Sequence, residues 1–173
     1  MATHYYTASS LDGFIADPDN GLEWLFVQDI DQKGPMSYDS FFANIGAMCM
    51  GATTYEWVLA HEKGKWAYTL PAWVFTHRDL PMASPDVRLT RADVREVHAE
   101  MTEAAGGKDI WIAGGGDLVG QFADAGLLDQ VWVQYAPVTL GAGAPLLPRR
   151  LDLVVEEVAR NRDFLCGRYS VKR

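Results

Sequence analysis

Several features by which a chain declares its function are scarce here. Only two cysteines, Cys49 and Cys166, occur among 173 residues. They have no CxxC spacing and no ligand partners, which argues against a disulfide framework or a metal site and for buried thiols in a reducing compartment. No apolar run approaches the length of a membrane span, and Met1-Ala2-Thr3-His4-Tyr5 has neither the basic region nor the apolar core of a signal peptide. Positive charge is also in deficit: 15 Lys and Arg against 23 Asp and Glu leave a net charge of -8. Such a surface repels phosphate, so nucleic acid and anionic membrane are excluded as expected partners. There is no Pro/Ser/Gly-rich linker, no internal repeat and no low-complexity segment, so residues 1–173 are expected to form one cytoplasmic domain. His4, His61, His77 and His98 are scattered, and no Ser/His/Asp order or paired carboxylate set stands out.

What is present is enough apolar material, 49% of residues, for one well-buried core. Aromatic and β-branched segments predict strands at His4–Ala8, Ala47–Met50, Trp73–Thr76, Val87–Thr90, Ile110–Ala113 and Val131–Tyr135. Helical spacing of apolar residues appears over Ser37–Ile45, Thr54–His61 and Arg91–Ala105. It recurs from Leu118 to Ala123, with Asp117 read as the N-cap and Gly126 as the stop. The alternation is that of an α/β sheet. Leu153–Val158 and Phe164–Val171, joined by Arg160-Asn161-Arg162-Asp163, read as an antiparallel hairpin closing its edge.

Two strand-to-helix turns carry the first functional signal. Ile110-Trp111-Ile112-Ala113 runs into Gly114-Gly115-Gly116-Asp117-Leu118, and Met48-Cys49-Met50 runs through Gly51 and Ala52 into Thr53 and Thr54. Glycines at a helix amino terminus expose backbone N–H groups and the positive end of a dipole, where phosphate is held. Each turn alone also reads as simple chain reversal, and each Thr as an ordinary cap. Together, at the carboxyl ends of parallel strands, they straddle the place where such sheets bind a dinucleotide. Thr76-His77-Arg78 follows another strand and offers polar groups for an adenosine ribose, or else forms a solvated loop. The loop Asp17 to Trp24 either folds over a flat ligand, with Trp24 as cover, or is a surface loop anchored by that ring. Leu140-Gly141-Ala142-Gly143-Ala144-Pro145 reads as a spacer.

These residues also carry a family resemblance. Ser10-Leu11-Asp12-Gly13-Phe14-Ile15-Ala16, Met50-Gly51-Ala52-Thr53-Thr54-Tyr55-Glu56, Gly114-Gly115-Gly116-Asp117-Leu118 with Gly126-Leu127-Leu128-Asp129-Gln130, and Pro137-Val138-Thr139-Leu140-Gly141 occur in an order that resembles the dihydrofolate-reductase-like superfamily. The closest resemblance is to stand-alone relatives of the reductase domain of bifunctional riboflavin-biosynthesis deaminase-reductases. It implies a three-layer α/β/α fold with a mixed, mostly parallel central sheet and the C-terminal antiparallel hairpin. It further implies NADPH held between the Gly51 and Gly114 turns, a cis Gly114-Gly115 peptide, and a homodimer. On that basis Gly51, Thr53, Thr54, Gly114, Gly115, Gly116, Asp117 and Leu118 form the pyrophosphate site, with Thr76, His77 and Arg78 at the adenosine end. Trp24 shields the nicotinamide, and Asp12, Tyr38 or Asp39 relays a proton.

Departures from the pattern shape the expected substrate. Ala52 stands where dihydrofolate reductases carry a basic residue for the 2′-phosphate, leaving Arg78 as the replacement. Tyr38, with Asp39 adjacent, stands where they carry the pterin-binding acid. Ala113 replaces the acidic residue that contacts substrate in the riboflavin reductases, and Lys33 is the only cation from Asn20 to Gly51. The expected activity is therefore hydride transfer from NADPH to a small pterin-, pyrimidine- or carbonyl-type acceptor. Dihydrofolate reduction, or a non-catalytic nucleotide-binding module of the same fold, is the alternative.

Overall fold

Strands buried at consecutive positions, rather than at every second one, require cover on both faces, and the central strands here are of that kind. In the computed structural model, which describes residues 1–173, β1 (Thr3–Ser9) points Tyr5 to one side of the sheet and Tyr6 to the other. β3 (Ile45–Gly51) likewise sends Cys49 one way and Met48 and Met50 the other, and β6 (Asp109–Ile112) divides Ile110 and Ile112 from Trp111. Helices α4 (Val94–Ala104) and α5 (Gly116–Asp124) cover the first face through Val97, Met101, Val119 and Phe122. Helices α2 (Tyr38–Phe42) and α3 (Ala52–His61) cover the second through Phe41 and Tyr55. Three layers, α/β/α, result.

With β4 (Ala72–Phe75), β5 (Val87–Thr90), β7 (Gln130–Tyr135), β9 (Leu153–Asn161) and β10 (Phe164–Val171), the sheet has the order β5-β4-β3-β6-β1-β7-β10-β9. The strands from β5 to β7 are parallel to their neighbours; β10 and β9 run antiparallel as the closing hairpin. The chain leaves β1, skips one position to β3, moves outward to β5 and returns as β6 into the gap. That reversal opens a crevice at the carboxyl ends of β3, β6 and β1, where ligands of open α/β sheets bind. No helix is long and apolar enough to cross a membrane.

Several boundaries differ from the sequence expectation for physical reasons. The apolar spacing of 37–45 contains a helix only over Tyr38–Phe42, because Ile45 begins β3. α3 starts at Ala52, two residues before Thr54, and α4 starts at Val94, with Asp93 rather than the Arg91 end as cap. The N-cap of α5 is Gly115, not Asp117, which lies in the first turn. Gly126 does stop that helix, at φ 71. The short helix α1 (Glu23–Phe26) begins in the segment 17–24 read as a loop and runs two residues beyond it. β2 (Phe14–Ala16) and β8 (Ala144–Pro145) pair as a separate two-stranded sheet, so the 140–145 segment is a docked strap rather than a free spacer.

Candidate functional site

The two glycine turns meet. The Gly51 N–H donates to the Gly114 carbonyl at 2.9 Å, and the Ala113 N–H donates to the Cys49 carbonyl at 2.9 Å, extending the β3–β6 ladder into the turns. The Gly114-Gly115 peptide is cis. Beside them opens a cavity of about 730 Å³. Its walls include Gly51, Thr53 and Thr54 from the first turn, Gly115, Gly116, Asp117 and Leu118 from the second, and Thr76 and His77 after β4. The cavity runs along the carboxyl edge of the sheet from Arg91, just past β5, to Thr7 on β1. Those strands are four steps apart, about 19 Å, so the cavity suits an elongated ligand.

The amino termini of α3 and α5 both face this space with their first N–H groups free of intrahelical partners. Neither N-cap, Gly51 nor Gly115, provides a side-chain bond to them. Gly51 (φ -81) and Gly115 (φ -73) have backbone conformations open to any residue. A Cβ added to Gly51 meets nothing nearer than the Gly114 oxygen at 3.9 Å, and one added to Gly115 nothing nearer than Ile15 Cδ1 at 3.9 Å. Neither the φ value nor contacts beyond the adjacent residues therefore demand glycine at these two positions. A side chain there would enter the cavity and cover the N–H groups. Gly116 differs: its missing Cβ makes room for the Pro145 and Leu146 carbonyls of the strap.

Other candidates lie elsewhere. Trp24 packs against the cluster of Met36, Ala136, Phe164 and Cys166 and donates its indole N–H to the Gly21 carbonyl at 3.0 Å, and it is not itself a wall residue. Gly114 lies behind the wall. Arg78 is paired with Glu56 on the surface and is not a wall residue. Arg91 is, and its guanidinium donates to the His77 carbonyl at 2.9 Å, leaving further N–H groups for a ligand. Asp117 directs its carboxylate to Arg149 at 3.2 Å and Gln121 at 3.1 Å, so what it offers the cavity is its backbone.

None of the three acids considered for proton relay lines the cavity. Tyr38 stacks on Phe42 and meets Trp111 edge-on, and burial pushes its phenol well above the ordinary range. Asp39 is exposed in the first turn of α2. Asp12 accepts from the Ser10 hydroxyl and from the Leu140 and Gly141 N–H groups, which hold its carboxyl down to about 2. It is ionised at neutral pH and has no proton to give.

Wall residues that the sequence reading did not single out include Thr7, Trp57, Arg91 and Gln121, and Pro145, which was read as part of a spacer, is wall as well. Arg91 sits just past the carboxyl end of β5, so the strand-end rule applied to that strand would have found it, whereas Thr7 lies within β1, two residues before its end. Trp57 stacks on His61 at 4.6 Å and, with it, on Phe26 of α1, bringing that helix to the rim. Pro145 arrives through the strap and has no local signal.

Comparison with known proteins agrees with this architecture. The chain is 31% identical over 144 residues to Uncharacterized protein YwjB of Bacillus subtilis (strain 168), covering 83% of this chain and 81% of that one. A solved structure of a Shewanella sp. PV-4 protein, named for riboflavin biosynthesis, superposes with a TM-score of 0.85 at 26% identity over 100% of both chains. The diaminohydroxyphosphoribosylaminopyrimidine deaminase/5-amino-6-(5-phosphoribosylamino)uracil reductase of Thermotoga maritima shares the fold at a TM-score of 0.65 and 16% identity, over 99% of this chain and 56% of that one. The family model of the RibD C-terminal domain matches residues 4–161, and the chain belongs to that family.

Proposed function

We propose that this chain is an NADPH-dependent reductase, acting as a cytoplasmic homodimer on a small, neutral, planar acceptor. The observation that carries the reading is the pair Gly51 and Gly115, two helix N-caps left without side chains where only the cavity gains from it. The donor set fits a pyrophosphate: free N–H groups of two helix termini and the Thr53 and Thr54 hydroxyls, with the one wall carboxylate, Asp117, turned to Arg149. Arg91 is the cation at the adenosine end and the group suited to a 2′-phosphate. NADPH, when bound, supplies a hydride to an electrophilic carbon, and the protein's part is to hold and orient.

The far end of the cavity is walled by Thr7, Ile15, Leu22 and Ala113, with no charged side chain among them. A sugar phosphate needs cations, and the only one on the wall, Arg91, lies at the opposite end. A compact uncharged C=N or C=O acceptor fits this lining, and Thr7 is its one hydroxyl donor. Calorimetry and steady-state turnover test the reading together. One NADPH per chain is expected, with Arg91→Ala weakening NADPH by about tenfold and sparing NADH, while Arg78→Ala changes neither. Oxidation of NADPH is expected with a neutral carbonyl or imine from a panel that includes dihydrofolate and ribosylamino-pyrimidine phosphates. Binding without turnover on any acceptor would favour a nucleotide-binding module; no binding would overturn the assignment.

A further inference from the structure

Asp12 lies off the cavity and is solvent-exposed, yet it is among the most heavily bonded carboxylates of the protein. One oxygen accepts from Ser10 Oγ at 2.6 Å and from the Leu140 N–H at 3.0 Å; the other accepts from the Gly141 N–H at 2.7 Å. Between Val138 and Ala144 these two backbone bonds are the hydrogen bonds tying the strap to the rest of the protein. The stretch is Thr139-Leu140-Gly141-Ala142-Gly143, too poor in large side chains to hold itself, so its order is imposed from outside.

What the strap does is visible on either side of that stretch. Before it, the Leu11 N–H donates to the Val138 carbonyl at 2.7 Å. After it, β8 pairs with β2, the Leu146 N–H donates to the Gly13 carbonyl at 2.9 Å, and the Tyr5 hydroxyl donates to the Leu146 carbonyl at 2.8 Å. Ala144 and Pro145 form cavity wall, and the Pro145 and Leu146 carbonyls rest on Gly116, the first residue of α5. We propose that Asp12 is a positioning residue: its carboxylate latches the 139–143 strap to the β1–β2 turn and thereby sets the wall beside the α5 amino terminus. Two adjacent N–H groups that converge on one side chain call for a carboxylate, which offers an acceptor to each; an amide offers one acceptor and one donor. The effect on ligand affinity rests on the NADPH reading above, whereas the latch itself does not.

Amide hydrogen exchange on the full chain reads the latch without any ligand. Asp12→Ala is expected to lower the protection of the Leu140 and Gly141 amides by about tenfold, while amides of β1 and β7 keep theirs; Asp12→Asn lowers chiefly Gly141. Alongside, the NADPH dissociation constant and KM should rise by about tenfold in Asp12→Ala and less in Asp12→Asn, with kcat at saturation retained, a split that general destabilisation would not produce. Unchanged strap protection in both variants overturns the latch, as does a uniform loss across the sheet. Loosened strap amides with unchanged NADPH affinity overturn its role in the wall. If the parent binds no NADPH but its strap loosens in the variants, the latch stands and the cofactor reading falls.

Discussion

At the scale of single residues, the most telling positions are those where a side chain is absent without structural need. An N-cap normally gains from Asp, Asn, Ser or Thr, whose oxygen accepts from the first turn. Gly51 forgoes this at the head of α3, although its backbone and its neighbours would accept any of them. Gly51→Asp should therefore cap the helix and leave the thermal midpoint equal to or above the parent's. The same carboxylate would occupy the free N–H groups and set a negative charge against the pyrophosphate, so NADPH affinity should fall by about a hundredfold. Thermal denaturation and calorimetry on one preparation check both signs; a variant that loses stability along with binding would mean that Gly51 serves the fold. Residue type leads to Gly51, Gly115 and Thr76, which stand where strands end and line the cavity. It does not place Trp24 and Arg78, which are off the wall, because an indole and a guanidinium reach several ångströms from their backbone, and the partner each reaches, Gly21 or Glu56, is not a property of local sequence.

At the scale of elements, legibility followed length. The long strands and helices were readable because periodicity accumulates over a window, while α1, β2 and β8 span four, three and two residues and carry no period at all. The difference at Asp117 has another cause: Asp is the preferred cap, whereas the cap here is Gly115, which lines the cavity and has no side chain with which to cap. The other end of α5 obeys local rules. The Gly126 N–H donates to the Ala123 carbonyl and the Leu127 N–H to the Phe122 carbonyl, each at 2.9 Å, with Gly126 at φ 71. This is the Schellman pattern, in which a left-handed residue satisfies the last carbonyls. Gly126→Ala places a Cβ in that conformation and should cost about 1 kcal/mol, lowering the midpoint by about 2 to 4 °C. NADPH affinity should not move, since Gly126 is at the opposite end of the helix from the cavity. A midpoint within error of the parent's would show that the helix ends without needing the left-handed residue.

At the scale of the whole molecule, the site was legible to the extent that topology makes it so: parallel strands deliver their carboxyl ends to one edge, and any residue placed there is a candidate before its contacts are known. The strap, the lining at Trp57 and the role of Asp12 depend on contacts between residues more than a hundred positions apart in the strap's case, and no local pattern encodes them. Exposed apolar side chains on the closing hairpin bear on the homodimer proposed above. The α4–α5 layer stops short of the closing hairpin, so Leu153, Val155 and Val158 of β9 and Leu165 of β10 lie on one uncovered face, with Val155 at 60%, Val158 at 64% and Leu165 at 55% exposure. A contiguous exposed apolar face of this kind marks an interaction surface. A second copy packing it face to face is the occupant consistent with the homodimer proposed above; direct pairing of two β9 edges would instead bring Glu156 and Glu157 of both copies together. Each chain carries a net charge of -8, so two copies repel at long range and the dimer should tighten as salt screens them. Sedimentation velocity is expected to give a dimer that strengthens with ionic strength. Val158→Glu should convert it to a monomer with an unchanged circular dichroism spectrum, because Val158 is exposed within the single chain and its loss leaves the core intact. A parent chain that is monomeric at high salt, or a Val158→Glu variant as dimeric as the parent, would remove this face from the assembly.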